Sequence, residues 1–192
     1  MSKRSLLAAA AVATFAIVST AAIAPVTAAM KEKTVNVGGA PMYPSRNIIQ
    51  NAVNSKDHTT LVAAVKAAGL VDTLQGPGPF TVFAPTNAAF KKLPQGTVET
   101  LLMPENKATL KKILTCHVVA ANAMASAIKK MIKDEGGVHP VKTVGGCVFK
   151  ASLKGDKIQI WDGKGNIATV TIANVRQSNG VIHVIDTVLL PS

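Results

Sequence analysis

The sequence predicts an α+β domain. Apolar residues recur at helical spacing through the first half of the chain, short β-branched runs divided by tight turns fill the second half, and one strand-like block stands early, at residues 80–84. A βαβ fold would interleave the two textures, so segregated elements point to one core of helices against a sheet. With 192 residues and no internal repeat, the chain has room for one domain of ordinary size plus extensions.

Residues 1–29 are expected to lie outside that domain. Lys3 and Arg4 form a basic start, residues 6–23 are an Ala-rich apolar run, and Pro25 and Val26-Thr27-Ala28-Ala29 offer a site for cleavage after Ala28 or Ala29. Those zones in that order make a secretory signal peptide. The alternative is a membrane anchor, for which the run is nearly long enough. No cysteine near the cleavage point is placed to carry lipid, and Ser192 follows no apolar tail, so no transmembrane span is expected after signal cleavage.

Residues 30–44 are polar, with Gly38-Gly39, Pro41 and Pro44, and read as a flexible or surface-hugging arm. The domain is expected over 45–192. Ser45 can cap a short helix reaching Asn54, with Ile48, Ile49, Ala52 and Val53 as its apolar side. A cleaner helix begins at Asp57, where Leu61, Val62, Val65 and Ala68 share a face and Gly69 supplies a left-handed stop. Leu70, Val71 and Leu74 add a turn before Gln75-Gly76-Pro77-Gly78-Pro79, which suits neither helix nor strand interior. Residues 80–84 then read as a buried strand stopped by Pro85, which has no amide hydrogen for a ladder. Thr86 is placed to cap a helical turn carrying Ala89, Phe90 and Leu93 inward.

Residues 98–103 form a short helical piece. Pro104 and Glu105 suit the first turn of the next helix, whose buried stripe is Leu110, Ile113 and Leu114. It exits through a strand-like stretch at 115–119. Residues 122–134 make a further amphipathic helix burying Met124, Ile128, Met131 and Ile132, closed by Gly136-Gly137. Strands follow at 141–144, 147–153, 157–161, 167–175 and 181–189, with Gly145-Gly146, Lys154-Gly155-Asp156, Asp162-Gly163-Lys164-Gly165 and Asn179-Gly180 as turns.

Two blocks are distinctive together: Thr81-Val82-Phe83-Ala84-Pro85-Thr86-Asn87-Ala88-Ala89-Phe90, and the closing Asn179-Gly180-Val181-Ile182-His183-Val184-Ile185-Asp186 with Val188-Leu189-Leu190-Pro191. They resemble the two signature segments of the fasciclin (FAS1) domain, and the resemblance runs from Asn47 to Pro191. It implies a β-sheet wedge or sandwich with helices packed on it. It also implies a non-enzymatic cell-adhesion module, here of the single-domain secreted bacterial type. Two sites come with the resemblance. A Tyr-His pair linked to adhesion falls at Cys116-His117, and an Asp-Ile dipeptide falls at Asn174-Val175. Asn174 lacks the carboxylate that would coordinate an integrin-bound metal ion, so recognition of that type is not expected. For His117, the competing reading is a buried ring bonded to backbone near the second block.

Enzymatic chemistry finds no footing. His58, His117, His139 and His183 have no ligand-type spacing, and neither a nucleophile elbow nor a phosphate loop is present. Gly163-Lys164-Gly165-Asn166 is a hairpin turn, and Asp156 and Asp162 are turn residues. No catalytic residue, cofactor or metal is expected. Cys116 and Cys147 are expected to pair after export, closing a loop that contributes on the order of 3.5 kcal/mol. Two free buried thiols are the alternative.

The formal charge is +11, or +9 without Lys3 and Arg4. Lysines come in clusters on helix faces: Lys91 with Lys92, Lys111 with Lys112, and Lys129 and Lys130 with Lys133. Each cluster alone also reads as a solvated face, but a basic exported protein is drawn to acidic surfaces. One Trp and one Tyr are too few for nucleic-acid stacking platforms. The chain is therefore expected to be a secreted, periplasmic or cell-surface adhesion module for extracellular matrix, a cell surface or a partner protein. The alternative is a basic anion-binding module for acidic polysaccharide or phospholipid surfaces.

Overall fold

Strands β3 (Phe80–Pro85) and β9 (Gly180–Ile185) run parallel, in register from Phe80 opposite Gly180 to Pro85 opposite Ile185, and the rest of the fold is built on them. The computed structural model describes residues 32–192; the leader expected at 1–29 lies outside the described residues. Seven strands make one sheet in the order β4-β3-β9-β8-β7-β6-β5, the others being β4 (Val118–Val119), β5 (Val138–Lys142), β6 (Val148–Lys154), β7 (Lys157–Trp161) and β8 (Ile167–Gln177). Seven helices pack with it: α1 (Ile48–Ala52), α2 (Thr59–Ala67), α3 (Val71–Gln75), α4 (Asn87–Lys91), α5 (Thr97–Leu102), α6 (Lys107–Cys116) and α7 (Ala125–Asp134).

Every residue of β9 is buried, as expected of a parallel strand covered on both faces. Alternation then sorts β3 and β9 between two cores. Val82, Ala84, Ile182 and Val184 join Leu61, Val65, Leu74, Phe90, Leu110 and Leu114 in the first. Phe83 and Ile185 join Ile128, Ile132, Phe149, Ile160 and Leu189 in the second. The two signature blocks touch at their starts, where a Cβ on Gly180 would run into the Phe80 carbonyl and one on Gly78 into the Asn179 carbonyl.

Asn179 fastens three elements at that point. Its Oδ1 accepts from Ile48 N–H at 3.0 Å, and its Nδ2 donates to the Leu74 and Gly76 carbonyls at 2.8 and 3.0 Å. It thereby satisfies an orphan donor at the start of α1 and carbonyls at the end of α3. The wholly buried Asn51 plays a similar part, exchanging hydrogen bonds with both backbone groups of Tyr43 and donating to Gln177 of β8.

Several boundaries differ from expectation, each for a local reason. The stretch expected as an arm holds a hairpin of β1 (Val35–Val37) and β2 (Ala40–Met42). Gly38 and Gly39 both have positive φ, the geometry a two-residue hairpin turn requires, and Val37 and Met42 are buried in the first core. Asn47, not Ser45, caps α1, through a reciprocal box with Gln50, and Val53 points outward. The β3 ladder reaches Pro85 because the next donor is Thr86, whose N–H meets the Ile185 carbonyl at 3.3 Å. Thr86 does cap α4, accepting from Ala89 N–H. A 3₁₀ turn at Pro104–Asn106 precedes α6, which continues to Cys116 and shortens the strand-like exit to β4. Strand β5 starts at Val138 despite Pro140, which is tolerated because β5 is the sheet edge. Strand β9 stops at Ile185, and Val188 and Leu189 are buried without strand pairing.

Candidate functional site

Three histidines lie inside the domain, two of them bound to backbone through both ring nitrogens. His117 caps the end of α6 and is 2% exposed. Its Nδ1 donates to the Ile113 carbonyl at 2.9 Å, and its Nε2 accepts from Leu189 N–H at 2.9 Å. That pattern requires a neutral ring, since a second proton would face the Leu189 N–H. Burial pushes its pKa down to about 4, against a smaller upward pull from the Ile113 carbonyl and Asp162. His183, within β9, donates from Nε2 to the Ala123 carbonyl at 2.8 Å, accepts from Asn174 N–H, and stacks on Phe83 at 5.8 Å between ring centres. Burial lowers its pKa too, opposed by the Ala123 carbonyl.

His58 stands just before α2, with Nδ1 at 2.9 Å from Ser55 Oγ. Its Nε2 sits near the Ala84 backbone without an aligned hydrogen bond, and burial lowers its pKa. The ring forms part of the wall of a cavity of about 50 Å³ lined by Val37, Met42, Ile49, Leu61, Val65 and Ile182 among others. Ser55 and His58 are a hydroxyl–imidazole pair, but both are buried, and among the described residues no third side chain bonds to the ring as a general base would need. Among the described residues, no group of three or more His, Cys, Asp or Glu side chains could hold a metal ion.

Of the Asn174-Val175 positions, Val175 is buried and Asn174 half-buried. Strand β8 is irregular between Ile172 and Val175, and Asn174 takes a φ of +61° there. Its Oδ1 accepts from Ala125 N–H at 2.7 Å, so it caps α7, whose own preceding residue Met124 supplies no side-chain cap. An aspartate at this position would make the same cap, which gives that residue type a structural purpose apart from adhesion. Val175 is 1% exposed in the first core. Cys116 and Cys147 form a disulfide with Cα atoms 5.5 Å apart, tying the end of α6 to the start of β6.

The lysine clusters sit on three helices with different neighbours. Helix α4 packs on α2 and β3, α6 on α2 and α5, and α7 on β5, β6 and β7. Lys92 lies 3.8 Å from Asp186, Lys129 lies 3.1 Å from Asp156, Lys130 pairs with Asp134, and Lys112 donates to the Gly145 carbonyl. Lys91, Lys111 and Lys133 make no ion pair among the described residues. Sequence reading overlooked another basic group, Lys142, Lys150, Lys154 and Lys157, exposed on strands β5 to β7. Strand alternation was the signal that could have found it.

Comparison with known proteins agrees with this geometry. The Fasciclin domain family profile matches residues 56–191. Protein sll1483 of Synechocystis sp. is 46% identical over 160 residues, covering 83% of this chain and 82% of that protein. The immunogenic protein MPB70 of Mycobacterium bovis is 37% identical over 150 residues, covering 73% of this chain and 66% of that protein. The transforming growth factor-beta-induced protein ig-h3 of Sus scrofa is 39% identical over 136 residues, which span 68% of this chain but 17% of that protein. Among solved structures, a FAS1 domain pair from the insect cell adhesion molecule fasciclin I superposes with a TM-score of 0.68 at 18% identity. That match covers 83% of this chain and 58% of the other. The fold is that of a FAS1 domain, and the chain belongs to the fasciclin family.

Proposed function

We propose that this chain is a non-enzymatic adhesion module that meets an extracellular matrix, a cell surface or a partner protein through its outer faces. It works outside the cytoplasm, secreted, periplasmic or displayed at the cell surface. What carries the reading is the committed interior. His117 and His183 spend both ring nitrogens on backbone, and Asn174 caps a helix. The two histidines and the asparagine at or beside the expected adhesion positions are thus occupied in holding the fold. The description of its structural neighbour as part of a cell adhesion molecule and the leader read at residues 1–29 support it further. Residues 30–192, passed over immobilised matrix and cell-envelope fractions, should be retained more strongly than an unrelated basic protein of equal charge. Retention no better than that control on every surface would overturn the reading.

A second reading, a basic module for acidic polysaccharide or phospholipid, is favoured by the excess of 21 Lys and Arg over 10 Asp and Glu. Its binding should weaken steeply by about 0.5 M salt, where screening shrinks to a few ångströms. Binding by apolar contact would persist.

A further inference from the structure

Strands β5 to β8 have two unlike faces. Inward, Phe149, Ala151, Ile158, Ile160 and Ala168 pack in the second core. Outward, Lys142, Lys150, Lys154 and Lys157 are exposed, and Trp161 is 40% exposed. No outward position on these strands is acidic. Of the carboxylates in the flanking turns, Asp156 is exposed and Asp162 is buried. Asp156 lies 3.1 Å from Lys129 of α7, while the buried Asp162 accepts from the Leu190, Lys164 and Asn166 amides.

Register fixes how these side chains are arranged. Lys150 stands opposite Trp161 on one side and Pro140 on the other, and Gln159 stands opposite Ser152 and Thr169. Lys154 stands directly opposite Lys157, a like-charge pairing that destabilises a bare sheet and that a bound anion would relieve. The Trp161 Nε1–H donates to Ser152 Oγ on the neighbouring strand at 2.9 Å. That bond draws the indole along the sheet toward Ser152, and its two cross-strand neighbours are Lys150 and the exposed Ile167.

We propose that this face binds an acidic polysaccharide. The C–H face of a sugar ring stacks on Trp161, the anionic groups meet Lys142, Lys150, Lys154 and Lys157, and ring hydroxyls meet Gln159 and Thr169. The proposal rests on the second reading above and gives it a place. A membrane surface suits the lysines, but an indole tethered to Ser152 does not project to enter the acyl layer.

The test measures binding to immobilised polygalacturonate, with neutral dextran and phosphatidylglycerol vesicles alongside. Trp161→Ala should weaken polygalacturonate binding about tenfold, in the range found for aromatic stacking. Lys150→Glu with Lys154→Glu should weaken it at least as much. Lys91→Glu with Lys111→Glu makes the same change of net charge elsewhere and should weaken it by less than about threefold. Thermal melts check that each variant is folded. Equal losses from both charge pairs would overturn the assignment of this face while leaving the second reading intact. Binding to vesicles but not polygalacturonate would replace the glycan with a membrane. Binding to no anionic surface would remove the second reading as well.

Discussion

On one side of the β3–β9 pair, Val82, Ala84, Ile182 and Val184 face the α1, α2, α3 and α6 helices. On the other, Phe83 and Ile185 face α7 and the β6–β8 meander. The two sides are filled differently. The helical side is assembled from short helices of mostly five to ten residues and keeps a cavity of about 50 Å³, with His58 Nε2 unpartnered in its wall. The meander side is a continuous sheet under one ten-residue helix, and the Cys116–Cys147 bond closes its corner. Long neighbouring strands interdigitate regularly, whereas helices this short depend on side-chain fasteners such as Asn179 and Asn51 to hold their angles.

The largest test of that contrast removes the covalent tie. Replacing Cys116 and Cys147 with Ala should cost on the order of 3 to 4 kcal/mol in urea unfolding. Amide exchange should rise first in α7 and β6, and a uniform rise across both sides would erase the distinction. Next comes acid. His117 has a folded pKa of about 4 against about 6.5 in an unfolded chain. The unfolded state therefore takes up the proton first. Stability contributed by the neutral ring is complete above about pH 6.5 and falls as pH drops toward 4, by roughly 3 kcal/mol. His58 and His183, lowered by burial, act in the same direction. Denaturant titrations from pH 7 to 4.5 should show this slope, and His117→Gln should flatten it.

A smaller loss is expected from Asn179→Ala, which strands the Ile48 N–H and the Leu74 and Gly76 carbonyls. It should lower stability by about 2 kcal/mol, with exchange rising on the helical side. The finest comparison adds carbon to each core. Ala151→Val, at a fully buried site in the filled core, should destabilise by about 1 to 3 kcal/mol. Val65→Ile beside the cavity should stabilise by under about 1 kcal/mol. Equal signs from the two would mean that both cores are packed alike.

What was legible in the sequence follows the reach of each interaction. Thr86 was readable as a cap because its partner Ala89 is three residues away, and β7 was delimited by its own alternation and turns. The role of Asn174 was not readable, since its partner Ala125 lies 49 residues back. The β1–β2 hairpin was hidden because its apolar positions are few and its Gly-Gly turn looks like a flexible lead. Adjacent lysines drew attention on helices, yet on a strand it is alternate residues that share a face. Lys150, Ser152 and Lys154 therefore went unnoticed beside Trp161.

The parallel pairing of β3 with β9 also bears on how the molecule is made. A ribosome delivers β3 well before β9, since Phe80 pairs with Gly180, a hundred residues later. In the interval the growing polypeptide presents an unmatched strand edge carrying Phe80, Val82 and Phe83, with neither core able to close. Pairing therefore waits until β9 has been made, and until then the nascent chain offers a target for holding chaperones.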